Sequence, residues 1–387
     1  MTNKFNFDEI VPRRHTCSLK WDRAASDEIL PMWVADMDFR TAPAVLDALQ
    51  KRVQHGIFGY TKVSDEYYTA ITDWFSRRYD FVFPENKILY TSGVVPALSA
   101  IIKALTTAGD KVIVQEPVYN CFFSSIKNNN CEVYSNDLLY NNGKYTIDFD
   151  DLERKAAAPD AKIFLLCNPH NPAGRVWTRE ELTRMGEICL KNNLLVISDE
   201  IHCDLTFAPH QHIAFASVSQ AFRQNSVTCI SPSKTFNIAG LKIANIYAED
   251  DEIRQKIDNA LHSNEIHEVT LFAVDALIAA YNQGEAWLEA LKHYLYDNYI
   301  YLKTCFEKHL PQLKVVPLEA TYLVWIDCKA LKISSQEIAD RLLEQEHLQI
   351  NAGAIYGAAG EGFIRINIAC PRALLQRGLE KIKCLVT

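Results

Sequence analysis

Short, almost wholly apolar runs alternate with longer stretches of helical period through the middle of the chain. The runs 111–115, 162–167, 194–198, 227–231 and 243–247 have strand length and show little polar alternation. Strands of that kind must be covered on both faces, which predicts a mostly parallel sheet between helical layers supplied by segments such as 178–191. A helical pattern then runs from about 265 to 309, with a break predicted at Asn282-Gln283-Gly284. Beyond it the period changes again. Strands are expected at 314–316, 322–327 and 363–368, and helices at 335–346 and 373–385. The reading is an α/β large domain over residues 46–281 and a smaller α+β domain formed by both termini, 1–45 and 282–387. No internal repeat, low-complexity stretch or flexible linker separates them.

Composition narrows the function classes. Apolar residues make up 48% and charged residues 23% of 387, an ordinary folded protein rather than a disordered one. The net charge of −8, with no run of Lys or Arg, gives no footprint for a polyanion and argues against nucleic acid. No stretch has signal-peptide or membrane-span character, so no membrane partner is expected. The eleven cysteines form no Cys-x-x-Cys pair, and several sit inside apolar runs. That usage suits a reducing cytoplasm and indicates neither a disulfide framework nor a metal site.

Four places carry candidate chemistry. Lys234 stands in Ser231-Pro232-Ser233-Lys234-Thr235-Phe236-Asn237, between two apolar runs. An amine buried there would lose its proton more readily and become a nucleophile suited to an imine. On this stretch alone, a solvated loop lysine is the better reading. Asp199 closes the run Val196-Ile197-Ser198-Asp199, at the strand end where open α/β sheets place their ligands; capping the next turn is an equal alternative. Ser92-Gly93-Val94-Val95-Pro96 joins a strand (87–90) to a helical pattern (97–105), with Ser92 expected as the N-cap. Arg365 interrupts the apolar run 363–368, a position a charge seldom takes unless it is paired or binds a ligand.

Joint order makes these stretches specific. Asn168-Pro169-His170-Asn171-Pro172-Ala173-Gly174 is followed by Asp199, 28 residues after Asn171, and by Lys234, 35 residues after Asp199. The set resembles the cofactor signature of the fold-type I pyridoxal-phosphate (PLP) enzymes of the class I/II aminotransferase group. Within the group, Pro31-Met32-Trp33-Val34-Ala35-Asp36-Met37-Asp38-Phe39, Asp199-Glu200-Ile201-His202 and Ser233-Lys234-Thr235-Phe236-Asn237 are similar to the cystathionine β-lyase, or cysteine C-S lyase, branch. The likeness runs from about Pro31 to Arg372.

The resemblance implies a PLP-binding large domain with a mostly parallel mixed sheet, and a role for each matching residue. Lys234 would bear the cofactor and act as general base. Asp199 would face the pyridine nitrogen, and Asn171 the phenolic oxygen. Tyr119 would stack on the ring. The backbone of Gly93, Val94 and Val95 would hold the phosphate with Ser231 and Lys242, although many relatives carry arginine at the last position. Arg365 would grip the substrate carboxylate. Tyr60, in Phe58-Gly59-Tyr60-Thr61, matches a tyrosine lent to the neighbouring subunit's phosphate, which implies a homodimer with shared sites. His202 stands where many relatives have tyrosine, and its role stays open.

The resulting expectation is α,β-elimination from L-cystathionine or another cysteine S-conjugate, giving a thiol, pyruvate and ammonia. An aminotransferase is the alternative, because the same constellation serves both reactions. A non-catalytic module that kept the fold is disfavoured by the intact set Asn171, Asp199, Lys234 and Arg365.

Overall fold

The computed structural model describes residues 5–24, 26–266 and 268–386. Residues 1–4 and Thr387 of the expected small domain, and His267 of the expected helical region, lie outside the described residues. A seven-stranded sheet is built from β1 (Ile88–Thr91), β2 (Lys111–Val114), β3 (Glu132–Ser135), β4 (Ala161–Cys167), β5 (Leu195–Asp199), β6 (Ser226–Ile230) and β7 (Ala244–Ala248). Its order is β1-β7-β6-β5-β4-β2-β3. All neighbours are parallel except β7, which runs against both β1 and β6. The five apolar runs read from the sequence are five of these strands, shifted by a residue at one or both ends in each case. The edge strand β3, part-exposed along its whole length, carries too few apolar positions to stand out.

The register decides where the chemistry goes. Cys167, Asp199 and Cys229 lie side by side on β4, β5 and β6, so the parallel strands end together. Because β7 runs the other way, its start meets those ends: Ala244 pairs with Thr91 and Asn245 with Ile230. One antiparallel strand thereby delivers Lys242, just before β7, to the same edge as Ser231 and Gly93.

The helix α1 (Val94–Leu105) follows β1 and buries Ala97, Leu98, Ile101 and Ile102 against the sheet. The expected helix at 178–191 starts one residue later, with Thr178 as its cap in a full capping box with Glu181. The region expected to be helical from 265 begins only at Leu271, after a Thr270 cap, because Glu265 adopts a left-handed turn behind the preceding helix. It divides into α2 (Leu271–Gln283) and α3 (Glu285–His309) at Gly284, inside the predicted break. A Cβ on Gly284 would come within 2.4 Å of both the Phe236 ring and Ala280 O, so this helix joint is packed directly against the loop that carries Lys234. Phe236 also stacks on Trp287 (5.9 Å) and meets Trp74 edge-on (5.9 Å). Full burial of each such aromatic contributes on the order of 2–3 kcal/mol.

A second, antiparallel sheet has the order β8 (Lys314–Val315), β9 (Leu323–Asp327), β11 (Phe363–Asn367), β10 (Asn351–Ala352). The N-terminal Leu30–Pro31 pairs in parallel with Leu348–Gln349, which fastens the start of the chain onto its last third. Among the described residues no helix is long and apolar enough to cross a membrane.

Candidate active site

The strand ends at the carboxyl edge of the large sheet bring most of the expected residues together. Asp199, the last residue of β5, is 3% exposed and lies between the thiols of Cys167 and Cys229 on the adjacent strands. Burial pushes both thiols up, so they stay neutral beside it. The Asp199 carboxylate accepts one backbone hydrogen bond, from Ile201 (3.1 Å), and no described Lys, Arg or His forms an ion pair with it. Burial, with the neighbouring Glu200 charge adding to it, lifts its pKa to about 7.

Lys234 follows β6 on a loop tied down by Phe236 and by Thr235, whose hydroxyl donates to buried Asp204 (2.8 Å). The Lys234 stem keeps some exposure, while the crowding of protein atoms around the amine lowers its pKa to about 8. Its Nζ donates to the Ala35 carbonyl at 2.6 Å. The solvated-loop reading of this lysine is therefore set aside by the geometry. Arg365, on β11, is 3% exposed; its Nη1 donates to Asn171 Oδ1 (3.1 Å) and its Nη2 to Trp33 O (2.8 Å), and the guanidinium lies over the Tyr356 ring at 4.8 Å. No carboxylate pairs with it among the described residues, so it is not a structural ion pair.

Asn171 gives its oxygen to Arg365, which leaves its amide NH2 as a donor. His202 is 3% exposed and held neutral, its pKa lowered to about 3 by burial and by the Lys234 and Arg365 charges. Its Nδ1 is buried without a partner. The Tyr119 phenol is pushed up by burial first, then by Cys121 and by the Asp199 charge.

At the phosphate end the expected cap is corrected. Gly93, not Ser92, is the N-cap of α1, and no side chain caps this helix. Gly93 takes φ +156° and ψ +162°, a region essentially reserved for glycine. A serine cap needs φ and ψ that this turn does not supply, and without it the N–H groups of Val94 and Val95 stay available at the positive end of a twelve-residue helix. Ser231 is buried, its hydroxyl 2.5 Å from Ile243 O and 2.8 Å from Ser233 Oγ. Lys242, in a left-handed conformation, is exposed, and its carbonyl accepts from Tyr90 OH (2.8 Å).

Tyr60 is the residue the single chain does not bring in. It is 99% exposed, on a stretch without regular structure, beside exposed Ile57 and Phe58.

Two features escaped the sequence reading. The carbonyls of Trp33 and Ala35 touch Arg365 and Lys234, although the wording of 31–39 had been noticed only as a family trait. Glu200, fully buried next to Asp199, accepts from Ser198 Oγ (2.8 Å), His212 Nε2 (2.8 Å) and Phe215 N (2.9 Å), which anchors the loop behind the site.

Buried Asp199 without a cation, the unpartnered Nδ1 of His202 and Nε of Arg365, and the uncapped start of α1 are together a set of groups awaiting a charged ring, an anion and a carboxylate. Comparison with known proteins points the same way. The chain is 42% identical over 386 residues to cystathionine beta-lyase PatB of Bacillus subtilis, covering 99% of this chain and 100% of that protein. The structure of cystalysin from Treponema denticola, which contains a pyridoxal 5'-phosphate cofactor, is 33% identical with a TM-score of 0.96, over 99% of this chain and 98% of that one. That of the PLP-bound C-S lyase from Staphylococcus hominis is 36% identical with a TM-score of 0.93, over 99% and 98%. Residues 28–382 match the family described as aminotransferase class I and II, and the chain belongs to that family.

Proposed function

We propose that this protein is a PLP-dependent C-S β-lyase that cleaves L-cystathionine, or a related cysteine S-conjugate, by α,β-elimination with water to a thiol, pyruvate and ammonia. The observation that carries the reading is the meeting, in one buried site, of a lysine amine whose pKa burial lowers to about 8 with a carboxylate that has no ion-pair partner among the described residues. When bound, PLP supplies an electrophilic carbon for the amino group and a protonated ring that takes up the electron pair left on Cα.

Lys234 bears the cofactor and, once released, moves the Cα proton as general base. With a pKa near 8, roughly one amine in ten is neutral at pH 7, against fewer than one in a thousand for an ordinary lysine. Asp199 holds the ring proton by charge, and the approach of that cation removes the cost of its burial. Asn171 and His202 would serve the phenolic oxygen, Tyr119 would stack on the ring, and Arg365 would take the substrate carboxylate as a two-pronged donor. The Val94 and Val95 amides, Gly93, Ser231 and Lys242 hold the phosphate. The Arg365 to Asn171 hydrogen bond joins the substrate-gripping residue to a cofactor residue.

Tyr60 would reach the phosphate of the neighbouring subunit in a homodimer with shared sites; its full exposure, beside exposed Ile57 and Phe58, supports this. A division into 46–281 and 1–45 with 282–387 is supported by the separate origin of the two sheets. A cytoplasmic location is supported by eleven cysteines with no disulfide bond among the described residues.

The test is to incubate the purified protein with L-cystathionine and, separately, with an amino acid plus 2-oxoglutarate. Pyruvate and thiol are expected in the first; a new amino acid in the second with no pyruvate in the first would replace the lyase by an aminotransferase. Borohydride reduction followed by mass spectrometry should find pyridoxyl on Lys234, and Lys234→Ala should lose both the label and the elimination while keeping its fold. A label on another lysine would overturn the site.

A further inference from the structure

Residues 33–38 form an irregular strap across the site, and its main-chain carbonyls meet the two side chains that matter most. Trp33 O accepts from Arg365 Nη2 (2.8 Å) and Asn351 Nδ2 (2.9 Å); Ala35 O accepts from Lys234 Nζ (2.6 Å) and Tyr322 OH (3.0 Å). Between them, Asn367 Nδ2 donates to Val34 O and Asp36 O, both at 2.6 Å. Irregular backbone such as this has no ladder to hold it, so its position depends on side chains.

The charged end of the strap is Asp36. Its carboxylate meets Arg13 through Nη2 (2.7 Å) and Nη1 (3.3 Å), and lies 3.6 Å from Lys20 Nζ. Arg13 Nη1 and Lys20 Nζ also hold Asp38, at 2.7 Å and 2.8 Å, while Arg13 Nη1 reaches Met37 O at 3.0 Å. The N-terminal segment thus clamps the strap by one guanidinium. Asp36 is also the charge that acts most strongly on the Lys234 amine, ahead of Arg365, Asp199 and Cys121. His202 and the Tyr322 phenol face the same amine and carbonyl, and Tyr322 feels the Asp36 charge as well.

We propose that Arg13 and Asp36 are positioning residues for Lys234: their ion pair fixes the Ala35 carbonyl on the amine, and the extent to which Arg13 neutralises Asp36 sets the charge the amine feels. The inference rests on Lys234 as the cofactor-bearing lysine. It makes a signed prediction that a merely structural contact does not. Removing the negative charge with Asp36→Asn destabilises the protonated nitrogen of Lys234 and lowers the pH at which it titrates. Removing the positive charge with Arg13→Gln leaves Asp36 less neutralised and raises that pH.

The measurement is a spectrophotometric pH titration of the cofactor absorption band in purified holoenzyme, with PLP retention recorded alongside. Shifts of about half a pH unit in opposite directions are expected, with Arg13→Lys returning the midpoint toward that of the unmodified protein. Should Arg13→Gln fail to fold, Asp36→Asn against Asp36→Glu decides the sign alone: a lower midpoint for Asn and one near the starting value for Glu. Equal shifts in one direction, or none, overturn the proposal. Borohydride labelling of the same samples separates the two readings, since pyridoxyl on Lys234 with unmoved midpoints sinks only the clamp, and a label elsewhere sinks the assignment beneath it.

Discussion

Asp199→Asn should make the cofactor-free protein more stable at pH 8. The carboxylate sits buried between neutral thiols with one hydrogen bond and no ion pair among the described residues, and burial lifts its pKa to about 7. The sign follows from proton counting. An ordinary aspartate titrates near pH 4, so between about 4 and 7 the folded protein binds a proton that the unfolded chain has lost; stability falls with rising pH across that window and stays lower above it. A lift of about three units at roughly 1.4 kcal/mol each amounts to a penalty on the order of 4 kcal/mol at pH 8. Asparagine removes the charge but leaves an amide N–H short of partners, a cost of about 1–3 kcal/mol, so the net gain is on the order of 2 kcal/mol. Urea unfolding of stripped wild type and variant from pH 4 to 8 reads this directly. The two curves should cross between about pH 5 and 6, the variant being less stable by about 1–3 kcal/mol near pH 4 and more stable by about 2 kcal/mol at pH 8. PLP should then reverse the ranking, because only the carboxylate pairs with the ring cation and gains from it. A variant that is no more stable at pH 8, or a difference independent of pH, would refute the reasoning.

Three further outcomes are expected. Tyr60→Phe should weaken PLP retention by about 10–100-fold through loss of one charge-assisted hydrogen bond, and mixing it with Lys234→Ala under subunit exchange should restore activity above the sum of the two; verified heterodimers without recovery would place Tyr60 in its own chain. Gly93→Ala should cost about 1–3 kcal/mol in backbone strain and lower PLP affinity in equilibrium dialysis, because φ +156° is a conformation alanine rarely adopts, while its Cβ would meet Pro96 only in ordinary contact at 3.4 Å. Arg365→Lys keeps the charge but loses the fork, so KM should rise at least tenfold with a smaller change in kcat, since about 1.4 kcal/mol or more of ground-state binding is removed.

The sequence-derived expectations that held share a physical basis. The five inner strands were legible because burial on both faces forces continuous apolar runs, and the helix break was legible because glycine is the residue that lets Phe236 come so close. Arg365 could be picked out as a charge inside an apolar strand pattern, whereas Asn171, Asp199 and Lys234, each ordinary in its own stretch, became legible only through their joint order and spacing. What stayed hidden was of another kind. The Ala35 and Trp33 carbonyls act through main-chain oxygens that every residue possesses, and they meet partners 199 and 332 positions away. The cap at α1 was misplaced because serine has a high general preference for that position, while the actual φ and ψ admit glycine alone. The Glu200 and His212 pair was invisible because nothing in a sequence says that two such residues twelve apart will both be wholly enclosed.

The pairing of Leu30–Pro31 with Leu348–Gln349 has a consequence for biogenesis. Asp38 N donates to Ala369 O, and Asn367 fixes the carbonyls on either side of Ala35, so a segment translated early finds several of its partners among residues translated last. During synthesis the early segment must wait for these late partners until nearly the whole polypeptide has left the ribosome, at about 5–20 residues per second. Closing a loop of that span also carries a large entropic cost before any contact repays it. The lysine cradle is therefore expected to be among the last parts of the molecule to mature, after the large sheet has consolidated. Nascent chains stalled before residue 367 should show a protease-resistant sheet while residues 30–38 remain open to cleavage.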